Sequence, residues 1–211
     1  MIFSWYRRWR RSRLLARPFP SEWWRYLEPI EHYRRLSSAE QERLRDDLRV
    51  FVAEKHWEGC GGLTLTDEMR VTIAALACML LLGLEHDYFS RVLSILVYPS
   101  AFVVPQREPI GLTSLEDESV HLGEAWYRGP VILSWEEIQA DLAAPGTGQN
   151  LVWHEFAHQL DMLNAEADGT PPLPTSALRR RWQEVMSAEH QRLRRDAVRG
   201  RRTLLDPYGA E

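Results

Sequence analysis

The chain has 211 residues, 45% hydrophobic and 27% charged, the balance of one soluble globular domain with a sizeable core. A formal charge of −4 gives no reason to expect nucleic-acid binding by the whole molecule. Cys60 and Cys78 are the only cysteines, which excludes a disulfide framework and fits a reducing compartment. No apolar run reaches the length of a membrane span; the longest, Ile73 to Leu84, suits a buried helix. Met1-Ile2-Phe3-Ser4-Trp5 precedes a basic stretch, the reverse order of a secretory signal, so a cytoplasmic location is expected.

Arg7, Arg8, Arg10, Arg11, Arg13 and Arg17 interleave with Trp5, Tyr6, Trp9, Leu14 and Leu15. A basic amphipathic segment of this kind reads as contact with an anionic membrane surface or nucleic acid, or as a solvated arm whose aromatics pack back on the body. The second reading is preferred, and Pro18-Phe19-Pro20 closes the arm. Ser21-Glu22-Trp23-Trp24 looks like a capped helix start running toward Pro29. Ser37 to Glu40 is a capping box opening a helix through Leu44, Leu48, Phe51 and Val52 to about Trp57. Thr66 caps the next helix, apolar on nearly every side from Val71 to Leu82 and stopped by Gly83.

Ile95 to Tyr98 reads as a short buried strand, and Val103-Val104 as the start of another. Residues 106–119 are acidic and irregular, a surface loop. Trp126-Tyr127 and Pro130 to Leu133 suggest further strand, and the segment Val131 to Leu133 is either a substrate-pairing edge or an interior strand. Ser134 to Glu137 is a second capping box, for a helix to about Ala143. Gly169-Thr170-Pro171-Pro172-Leu173-Pro174 cannot be helical, and Ser176 starts a long arginine-rich helix toward Gly200.

The stretch with the most chemistry is Trp153-His154-Glu155-Phe156-Ala157-His158-Gln159-Leu160-Asp161. Residues four apart share a helix face, so His154 and His158 can direct both imidazoles at one metal ion. Glu155 projects beside that face, where it can take a proton from a metal-bound water without becoming a ligand. A chance pattern on a surface helix is the alternative. Against it, Leu151, Val152, Phe156, Ala157 and Leu160 interleave with the histidines, as a largely buried helix requires, and Asn150 offers an N-cap. A zinc site spanning Leu151 to about Leu163 is the better reading. Asp161, one turn beyond His158, reads as a carboxylate that orients a ligand histidine or ligates directly, or as a helix C-terminal acid facing solvent. His56, His86, His121 and His190 lack partners at ligand spacing and read as ordinary surface or core histidines.

From about residue 20 onward the chain resembles the Mlc titration factor A (MtfA) family of bacterial zinc metallopeptidases, itself distantly similar in its catalytic core to anthrax lethal factor. The resemblance rests on ordered blocks: Phe51 to Trp57, Gly59-Cys60-Gly61-Gly62-Leu63, Thr66-Asp67-Glu68-Met69-Arg70-Val71 and Tyr98-Pro99-Ser100-Ala101-Phe102. Leu133-Ser134-Trp135, His154 to Asp161, Gly169 to Pro174 and Pro207-Tyr208-Gly209-Ala210 continue it. It implies an α+β, mostly helical fold: a zincin-like metallopeptidase core with a small mixed sheet and the HExxH helix. The implied division is a basic N-terminal arm, 1–20, and a peptidase domain, 21–211.

The implied activity is zinc-dependent, aminopeptidase-like hydrolysis of small peptides, with His154 and His158 as zinc ligands and Glu155 as catalytic base. Tyr208 is a candidate oxyanion donor or a packing tyrosine. The implied partners are a peptide substrate and a glucose-responsive, Mlc-like repressor, without direct nucleic-acid contact and without a membrane span. The family's third ligand is an acidic residue on a helix after the Tyr208-Gly209-Ala210 segment, and the sequence stops at Glu211. The expectation is therefore a domain lacking its C-terminal helices, with Glu211, Glu184 or Glu189 as substitute ligands. The competing function is a regulatory protein that binds and sequesters a transcription factor.

Overall fold

Local signals set most of the helices. In the computed structural model, which describes residues 2–100, 123–125, 129–164, 169–171, 173–203 and 205, the first helix is α1, Ile2–Leu15. Two short helices follow, α2 at Trp24–Leu27 and α3 at Glu31–Arg35. Ser21 does not cap a helix as expected: Ser21–Trp23 is a 3-10 turn entered from Pro20, and the Ser21 hydroxyl donates to Glu22. Helix α4, Ser38–Glu54, does open on a capping box, with the Glu40 carboxylate accepting the Ser37 N–H at 2.8 Å and the Ser37 hydroxyl accepting the Glu40 N–H.

Helix α4 ends earlier than the sequence suggests. Lys55 turns extended, and His56–Gly59 forms strand β1, paired in parallel with β2 at Ser94–Tyr98. Between them lies α5, Asp67–Met79, capped by the Thr66 hydroxyl on the Met69 N–H and buried along nearly its whole length. Its last apolar residues, Leu80 to Leu82, form turns rather than helix. The Gly59-Cys60-Gly61-Gly62 turn needs its glycines: a Cβ at Gly59 would lie 2.1 Å from the Leu63 carbonyl oxygen, and Gly61 takes φ +58°.

Strand β3 is Gly123–Ala125 and β4 is Val131–Ser134, giving the sheet order β1-β2-β4-β3. The first three strands are parallel and β3 is antiparallel to β4, a small mixed sheet as expected. Strand β4 is paired on both sides and buried at every residue, an interior strand and not a substrate-pairing edge; β1 and β3 are the outer strands among the described residues. Ser134 then caps α6, Trp135–Ala143, accepting the Glu137 N–H. Helix α7, Leu151–Asp161, and the long α8, Ser176–Val198, complete the described elements. Val103, Val104, residues 106–119, His121, Trp126, Tyr127, Tyr208 and Glu211 lie outside the described residues.

The core forms where α4, α5 and α7 meet the sheet, around Leu48, Phe51, Ile73, Leu76, Val97, Leu133 and Phe156. Phe156 lies 4.8 Å from the ring of Phe89 and 5.6 Å from that of Phe51, both tilted toward edge-on contact. Phe89 follows Tyr88 in a turn where both residues have positive φ, 52° and 49°, a left-handed conformation costly for side chains of this size. The turn is held from two sides. The Lys55 ammonium donates to the Phe89 carbonyl at 2.7 Å and sits 5.2 Å from the Phe51 ring centre. On the outer side the Arg11 guanidinium stacks on Tyr88 and bonds Asp87 at 2.6 Å and both oxygens of Glu54 at 2.7 Å. Cys78 is buried and its thiol is pushed well up by that burial, an inert structural cysteine.

Two stability predictions follow from this packing. Phe156→Ala removes the ring at the centre of the aromatic group and is expected to cost about 3–5 kcal/mol in denaturant unfolding; a loss below about 1 kcal/mol would contradict the assigned packing. Burial drives Lys55 from the usual 10.5 down to about 8. Between those values the unfolded chain holds the proton and the folded one does not, so unfolding free energy rises with pH across that window. Relative to Lys55→Met, the parent protein should therefore gain stability between pH 8 and 10.5 and show no such gain below it, read by denaturant titrations at stepped pH.

Candidate metal centre

Helix α7 interleaves core residues with the histidines and glutamate of the motif, and its rotation decides which face each takes. Asn150 accepts the Trp153 N–H at 2.9 Å as N-cap, and the Leu151 N–H bonds Asp141 at 2.7 Å. Burial keeps the Asp141 carboxyl above the usual carboxylate range, with the Leu151 N–H opposing it. The Trp153 indole donates to the Leu76 carbonyl of α5 at 2.9 Å, and His32 of α3 meets its ring edge-on at 4.6 Å.

Successive helix residues are rotated by about 100°. With Phe156 directed into the core, the residues two before and two after it fall on the far side of the helix, about 160° away in either sense. Those residues are His154 and His158, and both lie on the exposed face. Their Nε2 atoms stand 3.2 Å apart with the ring planes at 90°. Two nitrogens each about 2.0–2.1 Å from a tetrahedral zinc are separated by about 3.3 Å, so the spacing of this pair matches that of two ligands to one ion. Desolvation, then the neighbouring His158 ring, holds the His154 pKa below the ordinary histidine value, favouring the neutral ligand form.

Glu155 lies on the boundary between the two faces. It is 2% exposed, at the rim of the buried arc next to the histidines. Gln159, one turn on, is also buried, and its amide Nε2 has no hydrogen-bond partner among the described residues. Sequence reasoning passed over Gln159; the available signal was its place at i+4 from Glu155 on an otherwise apolar arc. Strand β3, an outer strand of the sheet among the described residues, runs alongside α7.

Asp161 takes a different place from the one expected. Its carboxylate accepts the Gly169 N–H at 2.6 Å, and the Gly169 carbonyl accepts the Trp182 indole N–H of α8 at 2.9 Å. It ties the end of α7 to the following loop and to α8. Arg91 adds a bond to the Met162 carbonyl at 2.9 Å. Among the described residues, no group of three or more His, Cys, Asp or Glu side chains is arranged to hold a metal. Glu184 and Glu189 instead pair with Arg181 and Arg192 on the exposed face of α8. His86 is a core histidine, 3.3 Å from the buried Asp47 carboxylate, while His56 and His190 are exposed.

Comparison with known proteins agrees with the motif. Residues 6–211 match the family described as glucose-regulated metallo-peptidase M90. An uncharacterized protein of Synechocystis sp., slr2042, is 39% identical over 205 residues, covering 96% of this chain and 74% of that protein. Mlc titration factor A of Klebsiella pneumoniae subsp. pneumoniae is 35% identical over 154 residues, covering 72% of this chain and 57% of the relative. Mlc titration factor A of Yersinia pestis is 33% identical over 141 residues, covering 65% and 51%. The chain thus spans little more than half the length of the Mlc titration factors it matches. It belongs to the glucose-regulated metallo-peptidase M90 family, with the Mlc titration factor A proteins among its relatives.

Proposed function

We propose that this protein is a zinc-dependent, aminopeptidase-like peptidase with a zincin-like core, built on α7. The observation that supports it most is the pair of histidine Nε2 atoms 3.2 Å apart beside a buried glutamate one residue along the helix. His154 and His158 hold the ion, and the carbonyl-polarising and water-activating chemistry is what zinc supplies when bound. Glu155, shielded from bulk water, accepts the proton of the attacking water and delivers it to the leaving amine. Strand β3, an outer strand among the described residues and beside α7, pairs with the extended backbone of the peptide. Tyr208 donates a hydrogen bond to the developing oxyanion.

Catalytic zinc takes three protein ligands, and in this reading the third is an acid from outside the described residues. The name of the Mlc titration factor relatives supports an Mlc-like repressor as a regulatory partner in the cytoplasm. A second reading, a regulatory protein that sequesters a transcription factor without catalysis, is favoured by the absence of a third metal-binding side chain beside the histidines among the described residues.

The test combines zinc analysis with hydrolysis of a panel of aminoacyl chromogenic substrates. Glu155→Gln should retain zinc and lose activity by roughly 10²–10⁴-fold, while His154→Ala should lose zinc and activity together. Full activity in Glu155→Gln would remove the glutamate from its role as base. A parent protein that neither retains zinc nor hydrolyses any substrate would sink the enzymatic reading and leave the sequestering one.

A further inference from the structure

We propose that α1 is an interfacial helix that seats this protein on an anionic lipid surface. Trp5, Tyr6 and Trp9 of α1 stand exposed, at 66%, 53% and 43%, and are not packed away against the body. Trp5 and Trp9, four residues apart, lie one turn apart on the same face, and the Tyr6 ring is 6.0 Å from that of Trp9. Tryptophan and tyrosine presented together in this way match the boundary between headgroups and acyl chains, where an apolar ring body and a polar N–H or O–H are both accommodated.

The charge around these rings has the matching sign. Residues 1–17 contain six arginines and no carboxylate, while the whole chain carries −4, leaving −10 on the other 194 residues. Of the six, Arg8, Arg10, Arg13 and Arg17 make no ion pair among the described residues. Arg13 stacks over the Trp9 ring at 4.9 Å. A cleft of about 310 Å³ opens beside the helix; its lining includes Arg10, Arg13 and Arg17, which can meet lipid phosphates, and the Glu54 carboxylate, which Arg11 already pairs. A negative surface therefore attracts α1 and repels the acidic remainder, which orients the molecule as well as binding it.

The opposite face of α1 is fixed to the body. Arg11 forks onto Glu54 and bonds Asp87, Arg7 lies 3.5 Å from Asp87, and the buried Arg49 guanidinium donates to the Leu14 and Arg17 carbonyls. An isolated helix of 14 residues is marginal in water, so most amphipathic segments must fold as they bind. Here that ordering is complete beforehand, which leaves more of the contact free energy for affinity. No described helix is long and apolar enough to cross a membrane, so the contact is peripheral. Single-stranded nucleic acid also uses arginine and aromatic stacking, but within a groove that follows the strand. The three rings here stand side by side on the outward face of one helix, the geometry of a flat partner.

The experiment is co-sedimentation of the full chain with phosphatidylcholine vesicles, with and without phosphatidylserine, reading tryptophan emission in parallel. Binding should require phosphatidylserine, weaken with added salt, and shift the emission to the blue. Neutralising Arg8→Gln and Arg13→Gln together should reduce partitioning roughly thirtyfold, from about one kcal/mol per cation. Trp5→Ser with Trp9→Ser should reduce it at least about tenfold. Both pairs are exposed, so the fold is not at stake. Absence of binding to phosphatidylserine vesicles, binding unchanged in both variants, or binding to a single-stranded oligonucleotide in place of vesicles would each overturn the proposal.

Discussion

Phe156 is the constraint on which the site depends. The helix has one rotational degree of freedom about its axis, and the burial of this ring against Phe51 and Phe89 fixes it. A fully buried aromatic ring contributes about 1.5–3 kcal/mol by transfer alone, more than the exposed imidazoles can offset by turning inward. Once the ring is seated, the positions two residues either side of it must face outward, and the positions next to it must lie at the flanks. The histidines and the glutamate therefore owe their placement relative to the core to an apolar side chain, Phe156. The N-cap at Asn150 and the Trp153 bond to Leu76 then fix the axial position of the same helix.

The aromatic group is in turn held by groups that look unrelated in the sequence. Two consecutive non-glycine residues at positive φ cost of order 1–2 kcal/mol each, and they persist only where surrounding contacts over-determine them. At Tyr88 and Phe89 those contacts are the Lys55 ammonium, the Arg11 guanidinium over the tyrosine ring, and the His86 ring beside it. Lys55, the only lysine in the chain, is thus a structural cation whose hydrogen bond fixes the backbone that carries Phe89.

What was legible in the sequence was what local chemistry decides. The caps at Ser37, Thr66, Ser134 and Asn150 bond residues three positions away, and each is where the sequence suggests. Strand β2, with Ile95 and Val97 facing the core, announces itself by composition. Strand β1 does not: His-Trp-Glu-Gly has neither alternation nor β-branching, and it is a strand because Ser94 to Val97 supplies the pairing groups. Whether β4 was edge or interior depended on β3, a three-residue Gly-Glu-Ala strand with no signal of its own. The bond from Gly169 to Asp161 was not legible for the same reason, since that partner is set by the path of a loop and not by helical spacing. The HExxH pattern was legible because its spacing is its geometry; a third ligand is not, because its spacing is set by the fold.

The end of α4 is where these threads meet. Within its last turn and its C-cap, Phe51 packs on α7, Glu54 receives the guanidinium of α1, and Lys55 bonds the strained turn. Five residues thus reference the histidine pair and the aromatic face of α1 to one rigid segment whose start is fixed by the Ser37–Glu40 box. The two contacts differ in kind. Phe51 acts through a fully desolvated ring contact that salt does not touch, whereas Glu54 acts through a partly exposed ion pair that salt weakens. Salt therefore leaves the Phe51–Phe156 contact untouched, while it weakens the Arg11 ion pairs that attach α1 and brace the Tyr88–Phe89 turn.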